Sequence, residues 1–390
     1  MMDAQERVRA RFKKTYYVNY GLIFIVLFLL VFGLIMLLST SSYEANLKFG
    51  NAWYYFKRQT ISTAAGLLVM LVVSFWPNYK IYKKVTILAY GGACAAPFLV
   101  KTPLAYSANG ATRWIKLFGI SIQPAEISKM LMIIFLAGFV SQLGKQVSTR
   151  RGFSITLIMS LVPAFLIYSL TRNLSSALIV ICIAMAMLFV SCPDYKRFIL
   201  LGGGAACVAA LAIYYAVSSS ASSADGLNFR FRRILAWIHP EQFASSTSHQ
   251  TIQALYAIGS GGLFGKGLGE SMQKLGFLPE AQNDMIFSII CEELGLFGAI
   301  AIMIMFMLLV WRLKLVADSA TDMFGALLVI GVLAHVSIQV ILNIAVVTNS
   351  IPNTGITLPF ISYGGSAVVM QLVEIGIALN VSRISSAEYA

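Results

Sequence analysis

Long apolar stretches alternate with short polar segments along almost the whole chain. Ten of these stretches approach or exceed the about 20 mostly apolar residues that a helix needs to cross a bilayer. They lie at residues 20–38, 59–76, 85–100, 124–143, 153–170, 173–191, 198–217, 286–311, 323–347 and 364–382. The pattern therefore predicts an all-α polytopic membrane protein with about ten transmembrane helices, organised as one domain over residues 1–390.

One polar segment is much longer than the others. Residues 218–285 separate the seventh span from the eighth and begin with a small, polar run at 218–226. Aromatic and basic residues then alternate over residues 229–238, a pattern that suits a helix at the membrane surface. The glycine-rich stretch 257–270 suggests a re-entrant loop that presents backbone N–H groups to a substrate. It does not match a nucleotide-binding P-loop, because glycine follows Lys266 where Ser or Thr is required.

Composition supports a membrane location, and charge predicts the orientation. The chain is 58% hydrophobic and 12% charged, with a formal net charge of +13. Its basic residues lie mostly in short segments between spans, so we expect contacts with anionic lipids and no nucleic-acid binding. Lys and Arg are concentrated on the side of the N-terminal tail, residues 1–19, which predicts cytoplasmic termini and an extracytoplasmic segment 218–285. The scattered cysteines form no CxxC pair and indicate neither a disulfide framework nor a metal site.

A polar cluster stands immediately before the eighth span. It comprises Pro279, Glu280, Gln282, Asn283 and Asp284. A carboxylate at the start of a membrane helix is poorly hydrated on one side, and such a costly group is functional by default. Asn283 or Asp284 could instead cap the first helical turn. The residues alone leave both interpretations open.

The fourth span begins with a charged pair in helical register. Pro124 suits the first helical turn, and Glu126 and Lys129 follow it three residues apart on one helix face. The two charges could compensate each other as a structural pair, or they could line a polar cavity. Both roles are compatible.

A stripe of polar side chains runs along the ninth span. His335, Gln339 and Asn343 recur every four residues and therefore share one helix face. Such a face avoids lipid, so it forms either a cavity wall or a polar seam between helices. Gln371 and Glu374 give a similar, weaker signal in the tenth span.

Several basic residues lie on the side opposite the N-terminal tail, where membrane orientation does not require them. The main ones are Arg113, Lys116, Arg232, Arg233, Lys266 and Lys274. Together with Asp284 and the polar spans, they suit an amphiphilic substrate with an anionic head and a long apolar tail. The sequence contains no HxxxH, HExxH or EF-hand pattern, so it supplies no metal template.

At these residues the chain resembles the SEDS family of bacterial cell-wall polymerases, which includes FtsW, RodA and SpoVE. The resemblance covers almost all of the chain. It is carried by residues 109–129, 230–241, 253–295 and 349–367 and by the hydropathy pattern. The stretch LGESMQK, within residues 253–295, is more similar to the division and sporulation branch than to the elongation branch.

The resemblance implies a peptidoglycan glycosyltransferase that polymerises lipid II at the outer face of the cytoplasmic membrane and releases undecaprenyl pyrophosphate. It implies a class B penicillin-binding transpeptidase and division or sporulation membrane proteins as partners. The family's essential acid falls on Asp284, and its NGARRW arginine falls on Arg113. Further substrate contacts are expected from Lys116, Glu126, Lys129, Arg232, Arg233, Lys266, Lys274, Glu280 and Gln282, and cavity or structural roles from Pro124, His335, Gln339, Asn343 and Glu374.

One segment departs from the family pattern. Where the family has QPDxG, this chain reads TRNLSSA at residues 171–177, so Asn173 replaces an Asp and the Gly is missing. An Asn accepts hydrogen bonds but carries no charge. A role for a divalent cation, Mg or Mn, is therefore left open and no metal ligand is assigned.

Two other functions compete with polymerisation. A lipid II flippase would account for the charges inside the membrane, although the chain shows no inverted repeat of the kind many transporters have. A scaffold that only anchors a transpeptidase would not need Asp284.

Overall fold

The computed structural model describes residues 18–108, 111–117, 120–219, 229–244 and 248–389. Its helices are α1 (Tyr20–Phe49), α2 (Tyr54–Phe75), α3 (Thr86–Ala95), α4 (Pro124–Leu143), α5 (Arg150–Thr171), α6 (Leu174–Ser191), α7 (Tyr195–Ser219), α8 (Phe229–Ile238), α9 (His249–Gly261), α10 (Ile286–Asp318), α11 (Met323–Val347) and α12 (Gly365–Tyr389). Short 3-10 helices cover Tyr79–Lys83, Ala96–Lys101, Gly144–Ser148 and Pro240–Phe243.

The membrane spans agree with the sequence prediction. Within the described part of the chain, nine helices are long and apolar enough to cross a membrane. The one remaining predicted span, 85–100, has a shorter α-helix, because α3 ends at Ala95 and the chain continues as the 3-10 helix Ala96–Lys101. The chain is thus a multi-pass membrane protein, and the predicted all-α fold with about ten transmembrane helices is confirmed.

The inner helices are α4, α11 and α12, because they are the described spans with the largest buried share of residues. Helix α2 packs closely along α12, and a Cβ added at Gly66 would lie 2.7 Å from Leu372 Cδ1. At the periphery, Ile199, Leu200 and Tyr214 of α7 are exposed where lipid would surround the bundle.

A small sheet lies between α3 and α4, in the polar segment that separates the third predicted span from the fourth. Strands β1 (Ala105–Ala108), β2 (Ala111–Leu117) and β3 (Ile120–Ile122) are antiparallel in the order β1-β2-β3. Tyr106 pairs with Trp114, and Lys116 pairs with Ser121. These strands are too short to give a clear two-residue periodicity. The sheet nevertheless matters, because it carries Arg113.

The long polar segment is more regular than predicted. Helix α8 confirms the helix expected over residues 229–238, whereas the run 218–226 and the tail 1–19 fall mostly outside the described residues. The glycine-rich stretch was predicted to form a re-entrant loop, which is wrong for its first part because α9 extends to Gly261. The chain leaves the helix at Gly262, where φ is +58°.

The rest of the glycine-rich stretch packs against a break in α10 at Gly295, where φ is +67°. The N–H groups of Lys266 and Gly267 donate to the carbonyls of Glu292 and Glu293 at 2.9 and 3.0 Å. A Cβ at Gly295 would lie only 2.3 Å from the Gly265 nitrogen. These two N–H groups therefore serve the protein's own backbone, in contrast to the predicted role of presenting N–H groups to a substrate.

Candidate functional site

Asp284 lies two residues before α10, and its carboxylate is partly exposed. The residue at the N-cap is Met285, and no side chain caps the helix there. The alternative that Asn283 or Asp284 caps α10 is therefore wrong. Asp284 Oδ1 instead accepts a hydrogen bond from Gln250 Nε2 of α9 at 3.2 Å.

The segment between α11 and α12 closes over Asp284. Asn343 Nδ2 donates to the Asp284 carbonyl at 2.8 Å and to the Ile356 carbonyl at 2.7 Å, so one amide ties the acid's backbone to this segment. Asn353 Nδ2 donates to Gln250 Oε1 at 2.8 Å and thereby orients the Gln250 amide toward the carboxylate. A Cβ at Gly355 would lie 3.6 Å from Asp284 Oδ2, which places the backbone of this segment directly beside the acid.

Two arginines from different elements lie within electrostatic reach of each other, and one of them, Arg233, also interacts with the Asp284 carboxylate. Arg233 of α8 donates from Nη1 to the Asn353 carbonyl at 3.1 Å, and Arg113 of β2 donates from Nη2 to the Arg172 carbonyl at 3.4 Å. Burial lowers the pKa of both guanidinium groups. Arg113 lowers the pKa of Arg233 further, whereas Asp284 raises it. The two cations and the acid thus form one electrostatic cluster.

Desolvation makes Asp284 an unusually basic carboxylate. Burial raises its pKa from the ordinary 3.8 to about 7, and the negative charge of Glu280 contributes in the same direction. The Gln250 hydrogen bond and the positive charge of Arg233 act in the opposite direction. A carboxylate with this pKa can accept a proton near neutral pH, as a general base must.

Glu280 and Gln282 form the turn that leads to Asp284. Glu280 adopts a left-handed conformation with φ +55°, and Asn283 Nδ2 donates to its carboxylate. Gln282 is buried, and its carbonyl accepts a hydrogen bond from the Tyr363 N–H at 2.9 Å. Both predicted substrate contacts therefore lie next to Asp284, and Gln282 also fixes the turn to the segment before α12.

Lys266 and Lys274, both predicted substrate contacts, form ion pairs with α10, in which both carboxylates and Lys274 are buried and Lys266 is about one third exposed. Lys266 Nζ lies 2.7 Å from Glu292 Oε1, and Lys274 Nζ lies 2.7 Å from Glu293 Oε1. Ser271 also donates to Glu292. These ammonium groups hold the glycine-rich stretch against the helix and are already neutralised by carboxylates.

Glu126 and Lys129 form the expected pair at the start of α4. Lys129 Nζ lies 2.8 Å from Glu126 Oε2, and the two side chains are only 1% and 6% exposed. Pro124 occupies the first turn, as predicted. Within the described residues the two charges compensate each other away from solvent. Of the two predicted roles, a structural pair and the lining of a polar cavity, this geometry favours the structural pair.

The polar side chains along α11 have two different roles: His335 and Gln339 pair with α12, and Asn343 contacts the backbone of Asp284. His335 Nδ1 lies 2.8 Å from Glu374 Oε2, and Gln371 Nε2 donates to Gln339 Oε1 at 3.0 Å. These pairs join α11 to α12 as a polar seam between helices. Asn343, one turn further along, holds the Asp284 backbone instead.

The remaining predicted contacts lie around this centre. Lys116 Nζ lies over the Tyr106 ring at 5.1 Å, and the side chain of Arg232 falls outside the described part of the structure. Asn173, which replaces the family's Asp, caps α6 by accepting from the Ser176 N–H at 3.0 Å. The described residues contain no group of three His, Cys, Asp or Glu side chains that could hold a metal ion.

Sequence reasoning missed three residues that shape the site, namely Gln250, Asn353 and Gly355. Asn353 and Gly355 lie in a segment that carries the family resemblance, and Gln250 lies three residues before another, yet their types do not distinguish them from ordinary loop and helix residues. Their role depends on contacts across about 30 to 100 residues of chain, which no local pattern reveals.

Comparison with known proteins agrees with this architecture. A family model described as cell cycle protein, which is named for FtsW, RodA and SpoVE, matches residues 20–387. Stage V sporulation protein E of Bacillus subtilis (strain 168) is 37% identical over 369 residues, covering 93% of this chain and 96% of that protein. A protein named probable peptidoglycan glycosyltransferase FtsW from Geobacter metallireducens is 36% identical over 354 residues, covering 90% of this chain and 91% of that protein.

A solved structure shares the fold. It is described as "Structural coordination of polymerization and crosslinking by a peptidoglycan synthase complex", and one of its chains matches with a TM-score of 0.77 at 21% identity. The match covers 94% of this chain and 98% of that chain.

Removing the Lys274 ammonium should destabilise the protein strongly. Among the described residues, Lys274→Ala leaves the fully buried Glu293 side chain with Ser39 as its one hydrogen-bond partner, and an uncompensated buried charge costs about 3–5 kcal/mol. We expect a clearly lower apparent melting temperature in detergent. Lys314→Ala is the matched control, because its pair with Asp318 is exposed and worth at most about 1 kcal/mol. Equal melting temperatures for the two variants would contradict a structural role for Lys274.

Proposed function

This chain belongs to the cell cycle protein family of FtsW, RodA and SpoVE, and we propose that it is a peptidoglycan glycosyltransferase that polymerises lipid II. Relatives 34–36% identical over most of the chain carry the name probable peptidoglycan glycosyltransferase FtsW. The observation that carries the proposal is Asp284, a carboxylate with a pKa near neutrality that interacts with the Arg233 guanidinium, which in turn interacts with Arg113. The similarity to stage V sporulation protein E favours a septum-building role, in division or sporulation.

The orientation follows from charge. Because Lys and Arg are concentrated on the N-terminal side, the termini are cytoplasmic and Asp284 faces the outside of the cytoplasmic membrane. Lipid II presents its disaccharide on that face, with its polyprenyl tail in the bilayer. The site thus lies at the depth where sugar, pyrophosphate and tail meet.

In the reaction, the 4-hydroxyl oxygen of one lipid II attacks the anomeric carbon of the growing chain. The new glycosidic C–O bond forms as the bond to undecaprenyl pyrophosphate breaks, and Asp284 accepts the hydroxyl proton. General-base assistance of this kind is typically worth about 10²–10⁴ in rate. The leaving pyrophosphate gains negative charge, which Arg113 and Arg233 stabilise through charge-assisted hydrogen bonds.

The protein partners follow from the same assignment. We propose that the chain works with a class B penicillin-binding transpeptidase and with division or sporulation membrane proteins. The solved structure that shares its fold is described as a complex that coordinates polymerization and crosslinking. Crosslinking by a partner would join the strands that this chain produces.

Exchanging the acid for an amide should separate chemistry from binding. Asp284→Asn keeps the shape and the Gln250 contact but cannot accept the proton, so we expect strand synthesis from purified lipid II to fall by about 10²–10⁴ while lipid II binding is retained. Arg113→Ala should weaken lipid II binding roughly tenfold or more, as well as turnover, because it removes a charge-assisted contact to the pyrophosphate. Strands are detected on gels after reconstitution with and without the transpeptidase.

Two outcomes of this assay would contradict the proposal. Equal loss of lipid II binding in both variants would mean that Asp284 binds substrate and is not the base. Absence of strands from the wild-type protein with its partner present would remove the polymerase assignment, and translocation of fluorescent lipid II in liposomes would then be measured.

The pH dependence of strand synthesis should follow the pKa of Asp284. The base works when deprotonated, so the rate should rise with pH through about 7. Glu280→Gln removes a negative neighbour that raises this pKa, so the rise should move to lower pH. Gln250→Ala removes a hydrogen bond that lowers the pKa, so the rise should move to higher pH. Shifts in the same direction for both variants would contradict this electrostatic account.

A further inference from the structure

A patch of aromatic rings covers the turn between α1 and α2. We call Phe49, Trp53, Tyr54, Tyr55 and Tyr363 the aromatic patch. Phe49 stacks on Tyr54 with ring centroids 3.8 Å apart, Tyr54 meets Tyr55 edge-on at 5.5 Å, and Tyr55 meets Tyr363 edge-on at 5.0 Å. Phe49 and Trp53 remain 47% and 50% exposed. Phe49, Tyr54, Tyr55 and Tyr363 thus form one continuous set of rings that is only partly buried, and Trp53 is the exposed neighbour of Tyr54 in the chain.

The aromatic patch is continuous with the candidate active site. The Tyr363 N–H donates to the carbonyl of Gln282, two residues before Asp284. Tyr55 also lies within electrostatic reach of Glu280, the carboxylate that raises the pKa of Asp284. A ligand that extends from Asp284 toward α2 would therefore pass directly onto the rings.

Two charged side chains, Arg58 and Glu44, lie beside the rings of the aromatic patch. The Arg58 guanidinium lies over the Tyr54 ring, 4.7 Å from its centroid, and hydrogen-bonds the Tyr363 hydroxyl. Glu44 interacts electrostatically with Tyr55. Ring faces beside carboxylate, guanidinium and phenol groups match a carbohydrate chain, whose pyranose rings present C–H faces for stacking and hydroxyl and amide edges for hydrogen bonds.

An aromatic belt at the membrane interface is the simpler alternative. Trp and Tyr are common there because their rings are amphipathic. A belt requires neither stacking of the rings into one surface nor continuity with a reactive acid. Both features are present here, and they favour a ligand over headgroups alone.

We infer that the aromatic patch is a carbohydrate-binding subsite for the growing strand of β-1,4-linked N-acetylated amino sugars. The inference rests on the proposed function and adds to it where the strand lies as it leaves Asp284. Sugars stacked on the patch keep the strand bound between additions. Weaker stacking releases the strand earlier, so the patch sets strand length.

The test measures strand length and oligosaccharide binding with the full chain in detergent. Trp53→Ala removes an exposed stacking face, and Tyr54→Ala removes the ring that holds Phe49 and Arg58 in place, whereas Tyr54→Phe keeps that ring. Trp311→Ala is the matched belt control, because Trp311 is 52% exposed near the other end of α10 and has Arg312 5.6 Å from its ring centroid. Chitotetraose, a β-1,4-linked N-acetylglucosamine tetramer, serves as the binding probe and is titrated by calorimetry into protein that also carries Asp284→Asn.

We expect Trp53→Ala and Tyr54→Ala to shorten the strands and to weaken chitotetraose binding about threefold to tenfold, with Tyr54→Phe and Trp311→Ala unchanged in both. Unchanged strand length or unchanged binding in the two alanine variants would overturn the subsite, and so would an equal effect of Trp311→Ala. If wild-type protein makes no strands, the proposed function fails by itself. Binding then decides the subsite, since binding that depends on Tyr54 supports it and absence of binding overturns it.

Discussion

The site depends on keeping one carboxylate, Asp284, partly out of water while a cation, Arg233, lies within electrostatic reach. A fully hydrated Asp would be ionised and too weakly basic at neutral pH, and an Asp paired directly with Arg would be still less basic. In this protein the Asp284 carboxylate receives a hydrogen bond from a neutral amide, Gln250, while Arg233 donates to the Asn353 carbonyl. This arrangement leaves the pKa at about 7 with positive charge nearby.

The same constraint explains why two distant segments meet at Asp284. A loop that held the acid alone would be free to move, and the carboxylate would become hydrated. Asn343 fixes the acid's backbone from α11, and Asn353 fixes the Gln250 amide from the segment before α12. The segment connects α11 to α12, and these two helices are joined to each other by the His335–Glu374 and Gln339–Gln371 pairs. The polar stripe thus stabilises the helices that position the site, which removes the main support for a transport pathway along α11.

A second anchor acts on the other side of Asp284. The glycine-rich stretch binds the broken backbone of α10 at Gly295, and the Lys266–Glu292 and Lys274–Glu293 pairs secure it. The first turns of α10, between Asp284 and the break at Gly295, are therefore fixed at both ends. The ammonium groups of Lys266 and Lys274, which the sequence assigned to substrate contacts, thus also hold α10, the helix that follows Asp284.

The sequence analysis predicted the features that depend on local pattern. Hydropathy identified the spans because an apolar run of sufficient length has few alternatives in a bilayer. Helical spacing identified the Glu126–Lys129 pair and the shared face of His335, Gln339 and Asn343. The features it missed depend on long-range contacts. The three-stranded sheet is too short for a periodic signal, and Gln250 and Asn353 acquire their roles only when α9 and the segment before α12 meet.

The same limit explains what position along the chain could not decide. Lys266 and Lys274 stay predicted substrate contacts, and the folded chain adds that their ammonium groups pair with Glu292 and Glu293. The helix-cap alternative for Asp284 was reasonable from its position alone. Only the fold shows that Met285 occupies the cap and that the carboxylate turns toward Gln250.

Infrared spectroscopy of protein with ¹³C-labelled Asp carboxyls measures directly whether Asp284 changes protonation near neutral pH. The difference between wild-type and Asp284→Asn protein isolates the carboxylic acid band of this residue. This account predicts a band that disappears with a midpoint at about pH 7 as pH is raised. A midpoint near the ordinary value of 3.8 would show that Asp284 is hydrated and would contradict the assignment of Asp284 as the base.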